Sequence, residues 1–156
     1  MISKTRTGKL LAIATKKSKG ASMIPLESTL VTTEHGIEGD HRGKPGDRQV
    51  TVVSQDSWDE ACRELNQSVP WIARRANLLV GGISFKDSTG YILHIGELIL
   101  EITGETKPCD RMDEFIQGLQ NVLIPDWRAG VTCRVIKSGE IKLGDRVTLS
   151  NSNEKR

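Results

Sequence analysis

The feature that most constrains this chain is a series of short β-branched or aliphatic runs, each closed off by turn-forming residues. Residues 8–15, 50–54, 77–80, 97–103, 131–137 and 146–149 have this character. Runs of this length and composition suit a pleated, half-buried surface. In 97–103, Leu98, Leu100 and Ile102 alternate with Glu97, Glu101 and Thr103, and only Ile99 breaks the pattern. That period of two predicts a strand with one wet face. Two stretches read as helix: 54–66, with Ser54 as N-cap, and 110–123, where Met112, Phe115, Ile116, Leu119 and Leu123 recur at helical spacing. Many short strands with two inserted helices predict a mostly β fold, a closed or nearly closed β-barrel rather than a βαβ sheet.

A length of 156 residues supports one substantial core and leaves little room for a second domain. Residues 1–150 are expected to form one domain and 151–156 a polar C-terminal tail. With 27% charged and 37% hydrophobic residues, the chain is neither a disordered acidic tail nor a membrane protein. The stretch 91–100 is interrupted by His94, Gly96 and Glu97, so no bilayer span is expected. A net charge of +2 and 4% aromatics argue against a nucleic-acid partner, which calls for concentrated positive charge and stacking rings. Lys4, Arg6, Lys9, Lys16, Lys17 and Lys19 precede the first acidic residue, Glu27, but 8–15 reads as a core strand rather than a targeting leader. Three widely spaced cysteines do not make a disulfide framework and fit a reducing, cytoplasmic compartment.

Two polar segments are candidates for chemistry. The first runs Gly36-Ile37-Glu38-Gly39-Asp40-His41-Arg42-Gly43-Lys44-Pro45-Gly46-Asp47-Arg48. Its four glycines permit close approach of backbone N–H groups to an anion, and Arg42, Lys44 and Arg48 supply positive charge. A solvated hairpin loop explains the same composition. No GxxxxGK[ST] or GxGxxG pattern occurs. Arg74 and Arg75 read equally as a basic turn or as an anion contact.

The second segment, Thr103-Gly104-Glu105-Thr106-Lys107-Pro108-Cys109-Asp110-Arg111, joins a strand to an expected helix. A cysteine at a helix N-terminus, with Lys107 and Arg111 beside it, has surroundings that favour a thiolate and hence a reactive or metal-binding sulfur. Cys62 and Cys133 fall in helical and strand patterns and read as buried packing. His35 and His41 lie near Asp40, but no fixed metal-ligand spacing links them to Cys109. A Cys109–His41–Asp hydrolase has no local support.

Taken in order, Gly36-Ile37-Glu38-Gly39-Asp40-His41-Arg42, Asp47-Arg48-Gln49-Val50-Thr51, Ala76-Asn77-Leu78-Leu79-Val80, Ile95-Gly96-Glu97, Lys107-Pro108-Cys109 and the closing Gly139-Glu140-Ile141-Lys142-Leu143-Gly144-Asp145-Arg146-Val147 resemble the MOSC family, named for the C-terminal domain of molybdenum cofactor sulfurases. The resemblance implies a β-barrel. It also implies that Cys109 is the family's functional cysteine, a molybdenum ligand for a pterin cofactor or a carrier of sulfur as persulfide. On the same ground Asp40, His41, Arg42, Arg48, Asn77, Lys107 and Arg111 are expected around the cofactor, with Arg42 and Arg48 at its phosphate and Asn77 giving an amide hydrogen bond.

The resemblance further implies sulfur transfer or molybdenum-dependent reduction of N-hydroxylated small molecules, with a separate electron-donor or sulfur-donor protein. The sulfurases carry a pyridoxal-phosphate domain and the amidoxime-reducing relatives an extra N-terminal domain. Neither is present here, so a stand-alone MOSC protein is expected and pyridoxal phosphate is not. Trp127-Arg128-Ala129-Gly130-Val131 departs from the more glycine-rich segment of the family and puts a contact from Arg128 in doubt. The alternative is a non-catalytic module that binds an acidic ligand or partner through the 39–48 loop.

Overall fold

The computed structural model describes residues 5–151, so all of the expected tail except Asn151 lies outside the described residues. Among the described residues eleven strands are formed: β1 (Arg6–Thr15), β2 (Ile24–Leu26), β3 (Ser28–Thr32), β4 (Gly36–Ile37), β5 (Val50–Ser54), β6 (Leu78–Gly81), β7 (Tyr91–Ile95), β8 (Leu98–Glu105), β9 (Val131–Lys137), β10 (Gly139–Lys142) and β11 (Arg146–Asn151). Seven of them close a barrel in the order β1, β11, β7, β8, β9, β5, β6 and back to β1. Closure satisfies the strand edges that an open sheet would leave unpaired. The β5–β6 pair is parallel, while the other barrel pairs are antiparallel. A parallel pair needs a crossover, and α1 (Gln55–Leu65) supplies it.

Alternation fills the barrel. Leu98, Leu100 and Ile102 are fully buried inside, and Ile99, Glu101 and Thr103 face outward. The short sheet β10–β3–β4 adds Val31, Ile37 and Ile141 to the same core. A second apolar cluster forms outside the barrel, where Trp58, Ala61 and Cys62 of α1 and Met112, Leu119 and Leu123 pack against Val53, Leu79 and Ala129.

Ser54 caps α1 by accepting the Ser57 backbone N–H at 3.2 Å, and Asn66 ends it in the left-handed conformation. The helix expected over 110–123 is not continuous. It is a 3-10 turn at Asp110–Glu114 and, after Gly118 at φ +95°, the four-residue α2 (Leu119–Val122). Asp113 stops the first piece by accepting the Gln120 backbone N–H at 2.9 Å, and Gly118 permits the reversal. Met112, Leu119 and Leu123 are buried as the spacing requires, but Phe115 is 58% exposed. None of the helices is long and apolar enough to cross a membrane among the described residues.

Candidate functional site

The end of β1, the loop before β5, the start of β6 and the segment after β8 converge on one concavity of about 230 Å3. Its wall carries seven basic side chains, Lys16, Arg42, Arg48, Arg74, Arg75, Lys107 and Arg111, with Cys109 among them and Asp40 the one carboxylate among the described residues. Met23, Ala76 and Met112 add apolar surface, and Thr51, Asn77 and Thr106 add neutral polar groups.

Each wall is held by specific bonds. Asp40 Oδ1 accepts the Thr15 hydroxyl and the Lys16 backbone N–H, both at 2.9 Å, and Oδ2 accepts the Arg42 N–H at 3.2 Å. Two further N–H groups of the loop are used internally: His41 N–H donates to Lys16 O at 2.6 Å and Asp40 N–H to Ile37 O at 2.9 Å. The Asp40–Arg42 part of the loop is thus closed on itself, and Arg42 and Arg48 bring positive charge to the concavity through their side chains.

Buried Gln49 fastens the other end of that loop. Its Nε2 donates to Thr33 O at 2.8 Å and Gly43 O at 3.1 Å, and its Oε1 accepts the Val135 N–H at 3.0 Å. Asn77 joins three strands' ends. Its Oδ1 accepts the Thr51 N–H at 3.0 Å and hydroxyl at 3.2 Å, and its Nδ2 donates to Ala14 O at 3.2 Å. Asn77 is 6% exposed, and it lines the concavity as well as bracing the framework.

Arg74 and Arg75 are half-buried and, among the described residues, bond neutral acceptors alone. Arg74 donates to Ala129 O at 2.9 Å and to the Thr106 hydroxyl at 3.0 Å, and Arg75 donates to Ala21 O. Burial lowers the pKa of Arg74, and Arg48 and Arg42 add to this, while Cys109 opposes it. Burial likewise lowers that of Lys16, followed by the charges of Arg75 and Arg42; Asp40 works in the other direction and Arg111 reinforces the lowering.

Cys109 is exposed, in contrast to buried Cys62 and Cys133, and burial drives the Cys133 thiol far up. Cys109 has extended backbone and precedes a 3-10 turn of five residues. So short a turn carries little dipole, and the positive field at the sulfur comes from side chains instead of the helix terminus expected from the sequence.

Of the sequence-derived residues, Asp40, Arg42, Arg48, Asn77, Lys107, Cys109 and Arg111 meet at this concavity. His41 does not. It turns into a neighbouring depression with His35, Glu34, Glu38 and Lys44. Arg128 also lies elsewhere, buried and bonded to Glu64 at 2.7 Å, Glu60 at 3.0 Å and Val122 O at 2.9 Å. Lys16 and Thr106 were missed, and nothing in their immediate sequence separates Lys16 from Lys17 or Lys19.

The donor set limits what can bind. Among the described residues no three His, Cys, Asp or Glu side chains cluster closely enough to hold a metal ion. A metal carried in by an organic chelator would meet the Cys109 sulfur as a single soft ligand. The basic wall suits an anionic chelator, so the residues present fit a phosphate-bearing pterin cofactor.

Among solved structures, the YuaD protein from Bacillus subtilis is similar over 96% of this chain and 99% of its own, with 20% identity and a TM-score of 0.82. YiiM from Geobacillus stearothermophilus matches 91% of this chain and 74% of its own at 15% identity and a TM-score of 0.73. YiiM from Escherichia coli matches 90% and 69% at 19% identity and a TM-score of 0.66. At these identities the likeness concerns the fold. No curated protein matches the sequence significantly. The family model described as MOSC domain matches residues 33–148, from the turn before β4 into β11, and with that span matched the chain belongs to the MOSC domain family.

Proposed function

We propose that this MOSC domain binds a molybdenum pterin cofactor, or carries sulfur, through Cys109. The observation that supports this reading is the placement of one exposed cysteine within a wall of seven cations. Arg42, Arg48, Arg74 and Arg75 would hold the cofactor's phosphate, and Cys109 would ligate the metal. When bound, the cofactor supplies two-electron redox chemistry at the metal, of the kind that reduces an N-hydroxylated small molecule. Electrons would come from a separate donor protein, in a cytoplasmic, reducing setting consistent with three unpaired cysteines.

As a sulfur carrier, the Cys109 thiolate attacks the sulfane sulfur of a donor persulfide. A new S–S bond forms at Cys109, the donor's S–S bond breaks and its thiolate leaves. The surrounding cations stabilise the anionic persulfide that results. The same basic wall also favours a second reading, a non-catalytic module for an acidic ligand with Cys109 uninvolved.

Expression in a host that makes the pterin cofactor separates these. The wild type is expected to retain molybdenum or sulfane sulfur, and Cys109→Ser to lose it while keeping its folded stability. Equal contents in both proteins, or none in either, would overturn the proposal.

A further inference from the structure

The charge on the cavity wall exceeds what the proposed cofactor and thiolate neutralise. Among the described residues, seven basic side chains against the Asp40 carboxylate leave a formal surplus of six positive charges. None of the seven takes part in an ion pair among the described residues; the pairs formed involve Lys86, Arg128, Arg134 and Lys137. Asp40 is itself occupied with Thr15 and two backbone N–H groups. A phosphate monoester brings at most about two negative charges and a thiolate one, which leaves about three cations unmatched.

We infer that the small molecule that reacts beside Cys109 is itself an anion, carrying its own carboxylate or phosphate, and that cationic molecules are turned away. This rests on the reading of the cavity as a cofactor site and narrows its substrate class. Lys16, Arg74 and Arg75 carry the inference furthest. They are half-buried, face one cavity, and bond either no carboxylate or only neutral oxygens. Like charges held this close, away from full hydration, attract any anion entering and repel a cation before contact. The lowered pKa of Lys16 agrees, since burial and neighbouring arginines both disfavour its charge until an anion joins them.

Alkylation of Cys109 reads that field directly, because Cys62 and Cys133 are buried. Protein made without the pterin cofactor is treated with iodoacetate and, separately, with iodoacetamide, with Cys109→Ser as the blank. The ratio of the two rates is compared with that of glutathione. The expected ratio is about tenfold or more above glutathione at low salt and falls toward it at 1 M salt. It stays raised when inorganic phosphate is saturating, because one dianion cannot neutralise six charges. Lys16→Gln lowers it, whereas Lys44→Gln, whose side chain lines the neighbouring depression, does not.

A ratio equal to or below that of glutathione overturns the inference. If neither reagent reacts, equilibrium dialysis decides: phosphate is expected to bind and benzamidine not, and equal binding of benzamidine overturns the inference. None of these readings depends on molybdenum retention, so the cofactor proposal can fail while the anion preference stands, and the reverse.

Discussion

The Asp40 carboxylate accepts the backbone N–H of Lys16 at 2.9 Å, so a single side chain ties the basic loop to the end of β1. The same group holds Thr15 and the Arg42 N–H, which places Lys16 and Arg42 on one wall. Removing it separates two effects of opposite sign. Asp40→Ala deletes a carboxylate of the cavity, which by charge alone would strengthen anion binding, but it also frees the loop. Loss of these bonds is expected to cost about 2 kcal/mol of stability in urea denaturation. Phosphate affinity is expected to fall, because positioning outweighs the gain in charge. Tighter phosphate binding by the variant would show the tie to be unimportant.

Lys16→Met is expected to stabilise the empty protein at neutral pH while weakening phosphate binding. A lysine whose folded pKa is lowered below its ordinary 10.5 penalises the fold when protonated. That penalty is full below the folded value and disappears as pH rises through 10.5. Thermal midpoints of wild type and variant should therefore differ at pH 7 and converge above pH 10.5. A gap that does not narrow would contradict the assignment.

Arg128 joins the start of β9 to α1 and to Val122 O. Arg128→Met is expected to cost about 2 kcal/mol, mainly through the lost hydrogen bonds of a side chain only 6% exposed. Its acid response should also change. The Arg128 hydrogen bond holds the Glu64 carboxyl below its ordinary 4.5. Wild type thus has stability above 4.5 that it loses as pH falls through the lowered value, and the variant should lack this component. Urea midpoints between pH 6 and pH 3 check it.

Gly43 lies where the loop folds back on His35. A Cβ there would sit 1.6 Å from the His35 carbonyl oxygen, so Gly43→Ala is expected to cost more than about 3 kcal/mol or to prevent folding. Gly39→Ala meets nothing within 4 Å and strains only a positive φ of +80°, so a cost of about 1 kcal/mol is expected. Denaturation midpoints that rank the two variants in the opposite order would refute the packing argument.

Much of the fold was legible because the signals are local. Residues 131–137 form the strand read from their composition, and Ser54 caps its helix as its side chain allows. Cys62 and Cys133 are buried and Cys109 exposed, as their neighbours implied. The stretch 110–123 misled because three of its apolar residues do face the core, yet Asp113 and Gly118 break the helix between them. Strands β2, β3, β4, β7 and β10 are not among the runs read from the sequence, and it is their pairing with other strands that defines them.

The site was legible only in part. His41 and Arg42 are adjacent in sequence, but one faces a different depression from the other. The loop's glycines suggested a backbone cradle, while the N–H groups of Asp40, His41 and Arg42 are bonded within the protein. Asn77, expected at the ligand, lines the concavity and also joins Thr51 to Ala14.

By itself the sequence determined the periodic strands, the helix cap and the chemical character of Cys109, because alternation and capping act between neighbours in the chain. Only the tertiary structure decided that Lys16, Arg42, Arg74, Arg75 and Arg111 share one wall with that cysteine. They come from segments up to 95 residues apart, and their meeting follows from the non-local strand pairing that closes the barrel.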